Sequence, residues 1–253
     1  MTKTILNLII AILFTGQAFA KCASSAIWTY PENGVIKQNS WIIIHGYASS
    51  QEIIKSLNKD YPIYLEGDGH KVKLVVKNTY KGLFRLTQAI LVPSEKLITG
   101  KTYILKIDNL KEDQKSNLSK WNSKLRKEEP IQWKVENGID SEKPRFINQP
   151  EFVDTNVEVY GCGPEISADF TIKTQDESQV LVKAELVDLK TGESNTFFLT
   201  IDENEIVSVG HGMCSGAFSF RDSRKYKVRF SLMDICGNQN SESSKWLTFD
   251  SPY

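Results

Sequence analysis

The chain has 253 residues, 40% hydrophobic and 25% charged, which is the composition of a folded protein long enough for two domains and not of a disordered or low-complexity segment. Its 31 Lys and Arg match 31 Asp and Glu, and neither the whole nor either half has the basic excess that makes nucleic acid the default partner. The balance conceals an asymmetry: residues 21–140 carry 19 basic and 13 acidic side chains, and residues 141–253 carry 11 and 18. Opposite signs favour docking of one half on the other or head-to-tail self-association, with solvated surface charge as the plainer reading.

In chain order, Lys3 precedes an apolar run from Ile5 to Phe14, and Ala18-Phe19-Ala20 supplies the small-x-small pattern of a cleavage site. Residues 1–20 therefore read as a secretory signal peptide, too short for a spanning helix, and no later run reaches a transmembrane length. Cleavage after Ala20 favours an unmodified Cys22 over a lipidated one, because the charged Lys21 precedes it. Pro31-Glu32-Asn33-Gly34 is a turn, and Ser40 to Tyr47 reads as a strand buried on both faces. Ser49-Ser50-Gln51-Glu52 is a capping box ahead of Ile53, Ile54 and Leu57, which predicts one or two helical turns. Gly67-Asp68-Gly69 lies between two alternating segments and predicts a hairpin. Leu83 to Val92 is a further strand, stopped by Pro93. The segment Lys111 to Glu129 is long and charged, and Leu118, Trp121 and Leu125 at helical spacing predict a short amphipathic helix capping one end.

A pattern occurs twice. Tyr103-Ile104-Leu105-Lys106-Ile107 precedes a Trp-bearing strand at Ile131–Val135, and Tyr226-Lys227-Val228-Arg229-Phe230 precedes another at Lys245–Phe249. A Tyr leading the penultimate strand, with its hydroxyl holding a neighbouring loop, marks immunoglobulin-type sandwiches. With Leu91-Val92-Pro93, Leu97, Gly100 and Trp133 in order, residues 27–136 resemble bacterial Ig-like domains of the S-layer type. That resemblance implies an extracytoplasmic structural or binding module. After a Pro-punctuated linker, Asn137 to Pro144, strands are expected at 145–147, 156–160, 166–174, 179–188, 196–201, 206–209, 217–220, 226–233 and 245–249. Asp234-Ile235-Cys236-Gly237-Asn238 resembles the loop after the penultimate strand of many such domains. The expected fold class is all-β, two tandem Ig-like sandwiches spanning 21–140 and 141–253.

Cys22, Cys162, Cys214 and Cys236 are an even set in an exported chain and predict two disulfides. If Cys214 and Cys236 flank neighbouring antiparallel strands they reach the same end of the sandwich, making Cys214–Cys236 the preferred pair and Cys22–Cys162 the remainder; Cys162 pairing with Cys214 or Cys236 stays open. Gly210-His211-Gly212-Met213-Cys214-Ser215-Gly216 is the most unusual stretch. Its imidazole, thioether and thiol suit a soft metal such as copper, but no second His lies at ligand spacing, and a disulfide-fixed turn is the stronger reading. Asp68 and His70 can be drawn as an acid–base pair, though a turn residue and a strand end explain them. The acidic runs Asp176-Glu177 and Asp202 to Glu205 lack the alternating oxygen ligands of a calcium loop. Trp28, Tyr30, Trp41 and Tyr47 are sugar-stacking residues or core.

With no convergent catalytic set and no cofactor motif, the chain reads as a non-enzymatic exported module, periplasmic or cell-surface. It would recognise a protein or surface glycan through the loops Gly210–Gly216, Ile235–Asn240 and Lys111–Glu129. The alternatives are a periplasmic assembly chaperone using two Ig-like domains and a metal-handling protein using His211, Met213 and Cys214.

Overall fold

The computed structural model describes residues 22–253, so the expected signal peptide lies outside the described residues. The chain is all-β. Its first half holds β1 (Ser25–Tyr30), β2 (Gly34–Ile36), β3 (Ile42–Ala48), the short helix α1 (Gln51–Lys55), β4 (Ile63–Gly67), β5 (His70–Lys81), β6 (Leu86–Pro93), β7 (Thr102–Ile107), α2 (Glu112–Lys115), β8 (Ser119–Asn122), β9 (Lys127–Pro130) and β10 (Gln132–Val135). Strand order is β1-β3-β6-β5-β4-β7-β10-β2, with β8 and β9 apart as a hairpin. The long β5 changes partner along its length: His70–Lys73 pair with β4 and Leu74–Lys81 with β6, with a bulge between Val76 and Asn78. This switch lets one ribbon supply both walls of a core, with Ile42, Ile44 and Leu91 from one wall and Leu65, Leu105 and Trp133 from the other.

Several local expectations hold. Asp68 (φ 48°) and Gly69 (φ 74°) turn the β4–β5 hairpin with the two left-handed residues that a tight hairpin turn of this hand requires. The helix at Gln51–Lys55 forms, but Ser50 at its N-cap makes no side-chain capping bond. The Lys111–Glu129 segment departs from expectation. Only Glu112–Lys115 is α-helical, a 3-10 turn follows at Ser116–Leu118, and Trp121 and Leu125 fall in the β8–β9 hairpin, both exposed. Helical spacing misled because Asn122 caps the turn instead, its Oδ1 accepting from the N–H groups of Lys124 and Leu125.

The second half contains β11 (Arg145–Phe146), β12 (Glu151–Tyr160), β13 (Gly163–Thr171), β14 (Thr174–Gln175), β15 (Val180–Asp188), β16 (Ser194–Thr200), β17 (Ile206–His211), β18 (Lys225–Asp234) and β19 (Leu247–Asp250). β12-β13-β17 and β16-β15-β18-β19 form two sheets, and Phe170, Val209, Ala184, Val228 and Phe230 pack between them. The expected strand at 217–220 is instead irregular chain whose Ala217, Phe218 and Phe220 plug that core.

The duplicated tyrosines behave alike. Tyr103 Oη accepts from the Ile98 N–H (3.4 Å), and Tyr226 Oη accepts from the Arg221 N–H (2.9 Å), each five residues upstream. Each hydroxyl holds the loop that leads into its own strand, the local device that the repeated sequence pattern predicts.

The halves share a buried seam. Period-two alternation on β3 sends Ile42 and Ile44 into the first core and Ile43 to the opposite face, where it meets Ile90, Leu181, Phe198 and Met233. Both faces of β3 are thus covered, as its uninterrupted apolar run requires. Cross-strand hydrogen bonds reinforce the seam: the Trp41 N–H donates to the Ile235 carbonyl (2.6 Å), and Phe84 and Gly216 exchange backbone bonds in both directions.

The disulfide differs from expectation. Cys22 is bonded to Cys214, while Cys162 and Cys236 are free, so neither Cys214–Cys236 nor Cys22–Cys162 forms. β17 and β18 belong to different sheets, so Cys214 and Cys236 are not carried to one end by neighbouring strands. Cys22 lies just ahead of β1, whose first residue pairs with Ala48; the Ala48 N–H donates to the Arg85 carbonyl, and the adjacent Phe84 is bridged to Gly216, two residues from Cys214.

Candidate functional site

The Gly210–Gly216 stretch is a pinned turn. A Cβ on Gly210 would lie 2.0 Å from the Ile166 carbonyl, and one on Gly216 would lie 2.2 Å from the His211 Cβ. Only glycine permits these approaches, and they bring the turn against Phe84 of the first half, whose ring meets His211 at 4.8 Å. As the disulfide-fixed-turn reading has it, Cys214 is held in a disulfide, which takes the thiol from the alternative soft-metal trio with His211 and Met213, and the His211 Nδ1 lies 2.9 Å from the Gly212 carbonyl. Cys162, at the β12–β13 turn and left open as a partner of Cys214 on sequence grounds, is also here. Its sulfur lies within 4.8 Å of both Cys22 and Cys214.

Beside this turn, a cleft of about 280 Å³ opens between the halves, lined among others by Trp28, His45, Glu165, Phe197, Ser208 and His211. Strand register builds one wall of it. Trp28 on β1 pairs with His45 on β3, and His45 with Gln88 on β6, so the three side chains form a row on the face turned to the second half. The rings stack in sequence, with Trp28 on His45 at 5.4 Å and His45 on Phe197 at 5.9 Å. Gln88, fully buried, reads the backbone of Phe198: its Nε2 donates to the Phe198 carbonyl (2.9 Å) and its Oε1 accepts from the Phe198 N–H (3.2 Å). Burial holds the His45 imidazole neutral by lowering its pKa from 6.5 to about 3.

On the far side of the seam, Asp140, Asp176 and Asp234 bring carboxylate oxygens within 4.8 Å of one another. Lys37 of the first half stands 3.8 Å from Asp140 and also pairs with Glu177. Asp234 accepts from the N–H groups of Cys236 and Asn238, shaping the Asp-x-x-Gly-Asn loop, yet burial raises its pKa and that of Asp176. Burial likewise raises the Cys236 thiol, which packs near Ser40 and Ser178. The polar groups here serve mainly one another and the seam.

Of the three loops expected to carry recognition, Gly210–Gly216 and Ile235–Asn240 are therefore absorbed into the junction, and Lys111–Glu129 remains outside it. His70 does not pair with Asp68; its Nε2 faces Glu95 at 3.2 Å and its Nδ1 faces Tyr103 Oη at 3.2 Å. The acidic run Asp202–Glu205 is a turn in which Asp202 Oδ1 accepts from the N–H groups of Asn204 and Ile206.

A surface that sequence reasoning missed is β12. Among the described residues it is the edge of its sheet, ten residues long, paired on one side with β13. Val153, Val157 and Val159 are exposed on it, Val159 at 81%. Its alternation was visible in Asn156-Val157-Glu158-Val159-Tyr160, but edge position depends on which strands neighbour it in space.

No family model matches the chain, and no curated protein matches it. Among solved structures, it is similar to the pullulanase type I from Bacillus subtilis str. 168 complexed with maltose (12% identity, 90% of this chain and 24% of that one, TM-score 0.25). It is also similar to a cytokine receptor complex (8% identity, 90% and 97% covered, TM-score 0.27) and to the tandem Ig repeats of Dlar (11% identity, 88% and 94% covered, TM-score 0.25). The chain spans about a quarter of the length of the pullulanase. Among the described residues, no helix is long and apolar enough to cross a membrane.

Proposed function

We propose that the chain is a non-enzymatic binding module of the bacterial cell envelope, exported and built of two Ig-like sandwiches fused along the seam. It engages an extended protein segment by strand addition along β12. The observation that carries this reading is the unpaired edge of β12 with its exposed valines, because a long apolar edge strand is a template for another chain unless it is covered. Glu151, Asp154 and Glu158 on the same strand favour a partner segment with basic side chains. The Cys22–Cys214 disulfide fits an oxidising compartment outside the cytoplasm, and the two tyrosine loop ties fit the Ig-like reading. The burial that keeps His45 neutral and the disulfide that holds Cys214 support the non-enzymatic reading.

Replacing Val153 and Val159 by Lys should abolish capture of a defined envelope partner and leave the fold intact, read by pulldown with circular dichroism. Undiminished capture removes the β12 assignment. Robust turnover on hydrolase or oxidoreductase panels, abolished by one substitution, removes the non-enzymatic reading. The same edge strand favours a second reading, a periplasmic assembly chaperone; fibre subunits co-purifying with the wild type and lost from the Lys variant would select it.

A further inference from the structure

The disulfide has a third sulfur beside it. Those of Cys22, Cys162 and Cys214 all lie within 4.8 Å of one another, yet only Cys22 and Cys214 are bonded, and Cys162 keeps its thiol. All three residues are partly exposed, whereas Cys236, the other free thiol, is buried across the seam near Ser40 and Ser178. Two sulfurs of the trio are spent on each other, so it presents one thiol and an adjoining disulfide, not a set of thiolates for a soft metal. That combination has its own chemistry: a thiolate attacks one of the bonded sulfurs and expels the other. Going from 4.8 Å to the bonded distance takes less than about 3 Å of sulfur travel.

The fold indicates which bonded sulfur Cys162 attacks. Cys162 sits in the turn between Tyr160 and Gly163, the last paired residues of β12 and β13. β13 also pairs with β17, up to Ile166 opposite His211, and Cys214 follows three residues later. The two turns touch: a Cβ on Gly163 would lie 3.4 Å from the Met213 carbonyl oxygen. Cys162 and Cys214 are therefore carried on adjoining turns at one end of one sheet, while Cys22 arrives from the other half, ahead of β1. A Cys162–Cys214 bond joins neighbours within that sheet and leaves Cys22 as the departing group.

We propose that Cys22, Cys162 and Cys214 form an intramolecular thiol–disulfide exchange centre in which Cys162 attacks Cys214 and releases Cys22. The Cys162 thiol gives its proton to water, and its thiolate forms the new bond to the Cys214 Sγ. The Cys22–Cys214 bond breaks, and the Cys22 Sγ leaves with the electron pair and takes up a proton. One thiol and one disulfide stand on each side, so no oxidant or reductant is consumed. The exchange moves the covalent tie from between the halves to within the second half, and it clamps the turn at the end of β12. No partner on β12 takes part, so the proposal is independent of the strand-addition reading.

The test starts from a chain beginning at Lys21 with a photolabile cage on the Cys162 sulfur, so that peptide mapping finds only Cys22–Cys214 at the outset. Light frees the thiol in the folded protein. Aliquots are quenched in acid, unfolded, alkylated with N-ethylmaleimide and mapped without reduction. The Cys162–Cys214 bond should appear with time, with the alkyl label on Cys22. Its rate should rise several-fold from pH 7 to pH 8 as thiolate forms, and should not depend on protein concentration. If the caged chain does not fold, mapping of the acid-quenched wild type decides, and both disulfide isomers should be present. A Cys22–Cys214 bond that persists with label only on Cys162 overturns the proposal, as does a single isomer in the wild type. A Cys22–Cys162 bond with label on Cys214, or a rate that grows with protein concentration, overturns it as well.

Discussion

The two halves place different structures after their matching tyrosine strands. In the first, the chain leaving β7 wanders through α2 and the β8–β9 hairpin before returning as β10, and Trp133 at the return is fully buried. In the second, the chain leaving β18 turns at once through Asp234 to Asn238 and lies against Ser40, Trp41 and Asp140, while Trp246 at the return is at the surface beneath Lys227 and Arg229. The difference follows from the seam. The second-half segment is confined because another sheet lies over it, whereas the first-half segment faces solvent and is free to lengthen. Equivalent positions in a repeated pattern therefore need not have equivalent energetics.

The sharpest way to break the comparison is to truncate both tryptophans. Trp133 fills the first core, and its Nε1 donates to the Pro31 and Glu32 carbonyls at 3.1 and 2.9 Å. Trp133→Ala should cost about 4 kcal/mol. Trp246→Ala loses only cation–π contacts at 4.6 and 4.7 Å and should cost under about 1 kcal/mol. Denaturant midpoints measure both, and equal losses would mean that the halves are built alike after all.

A second contrast uses glycines. Gly100, leading into the first tyrosine strand, has φ 83° and open space where a Cβ would go. Gly237, following the second, has φ 85°, but its Cβ would lie 2.2 Å from the Trp41 ring across the seam. Gly100→Ala should cost about 1 kcal/mol, from backbone conformation alone. Gly237→Ala adds overpacking and should reach about 3 kcal/mol, read from thermal or denaturant unfolding.

The seam itself has a pH signature. The His45 pKa falls from 6.5 in an open chain to about 3 when folded. The unfolded chain therefore binds a proton that the folded chain excludes. This contribution is fully present above pH 6.5 and is lost as pH falls from there towards 3, amounting to about 2–3 kcal/mol by pH 4.5. Asp176 and Asp234, raised by burial, act in the opposite sense: the folded state takes up their protons at higher pH and gains stability on acidification. Comparing the wild type with His45→Phe between pH 7 and 4.5 removes the shared carboxylate background. The variant should show the shallower loss, and parallel curves would place the imidazole in water.

These contrasts also mark what the sequence could reveal. Period-two alternation gave β7, β15 and β18, and the doubled apolar coverage of Ser40–Tyr47 already implied something packed on both faces of β3. The five-residue tyrosine ties were legible because they are local. The disulfide was not, since Cys22 and Cys214 lie 192 residues apart and meet only through the arrangement of the sheets. The cleft was illegible for the same reason: Trp28, His45 and Gln88 align by register across three strands, while Phe197 and Phe198 arrive from the other half. Residue types suggested Trp28 as core or stacking, and geometry makes it one wall of an opening.

The smallest expected effect tests whether the first-half excursion is independent of the fold. Trp121 and Leu125 are 61% and 58% exposed, and the hairpin that carries them is held by its own bonds, Ser119 to Glu128 at 2.8 Å and Asn122 to Glu129 at 2.7 Å. Its base is tied in through Asn33, whose side chain donates to the Pro130 carbonyl and accepts from the Gln132 N–H, through the Ile131 N–H to the Leu118 carbonyl (3.1 Å), and through Lys120, 3.9 Å from Glu32; none of these bonds involves the Trp121 or Leu125 side chain. Replacing Trp121 and Leu125 together by Ser should therefore change unfolding free energy by less than about 0.5 kcal/mol, as for surface sites without buried partners. A loss several times larger would show that the hairpin packs on the sandwich in solution. The free segment after the first tyrosine strand and the confined one after the second would then be two versions of the same cover.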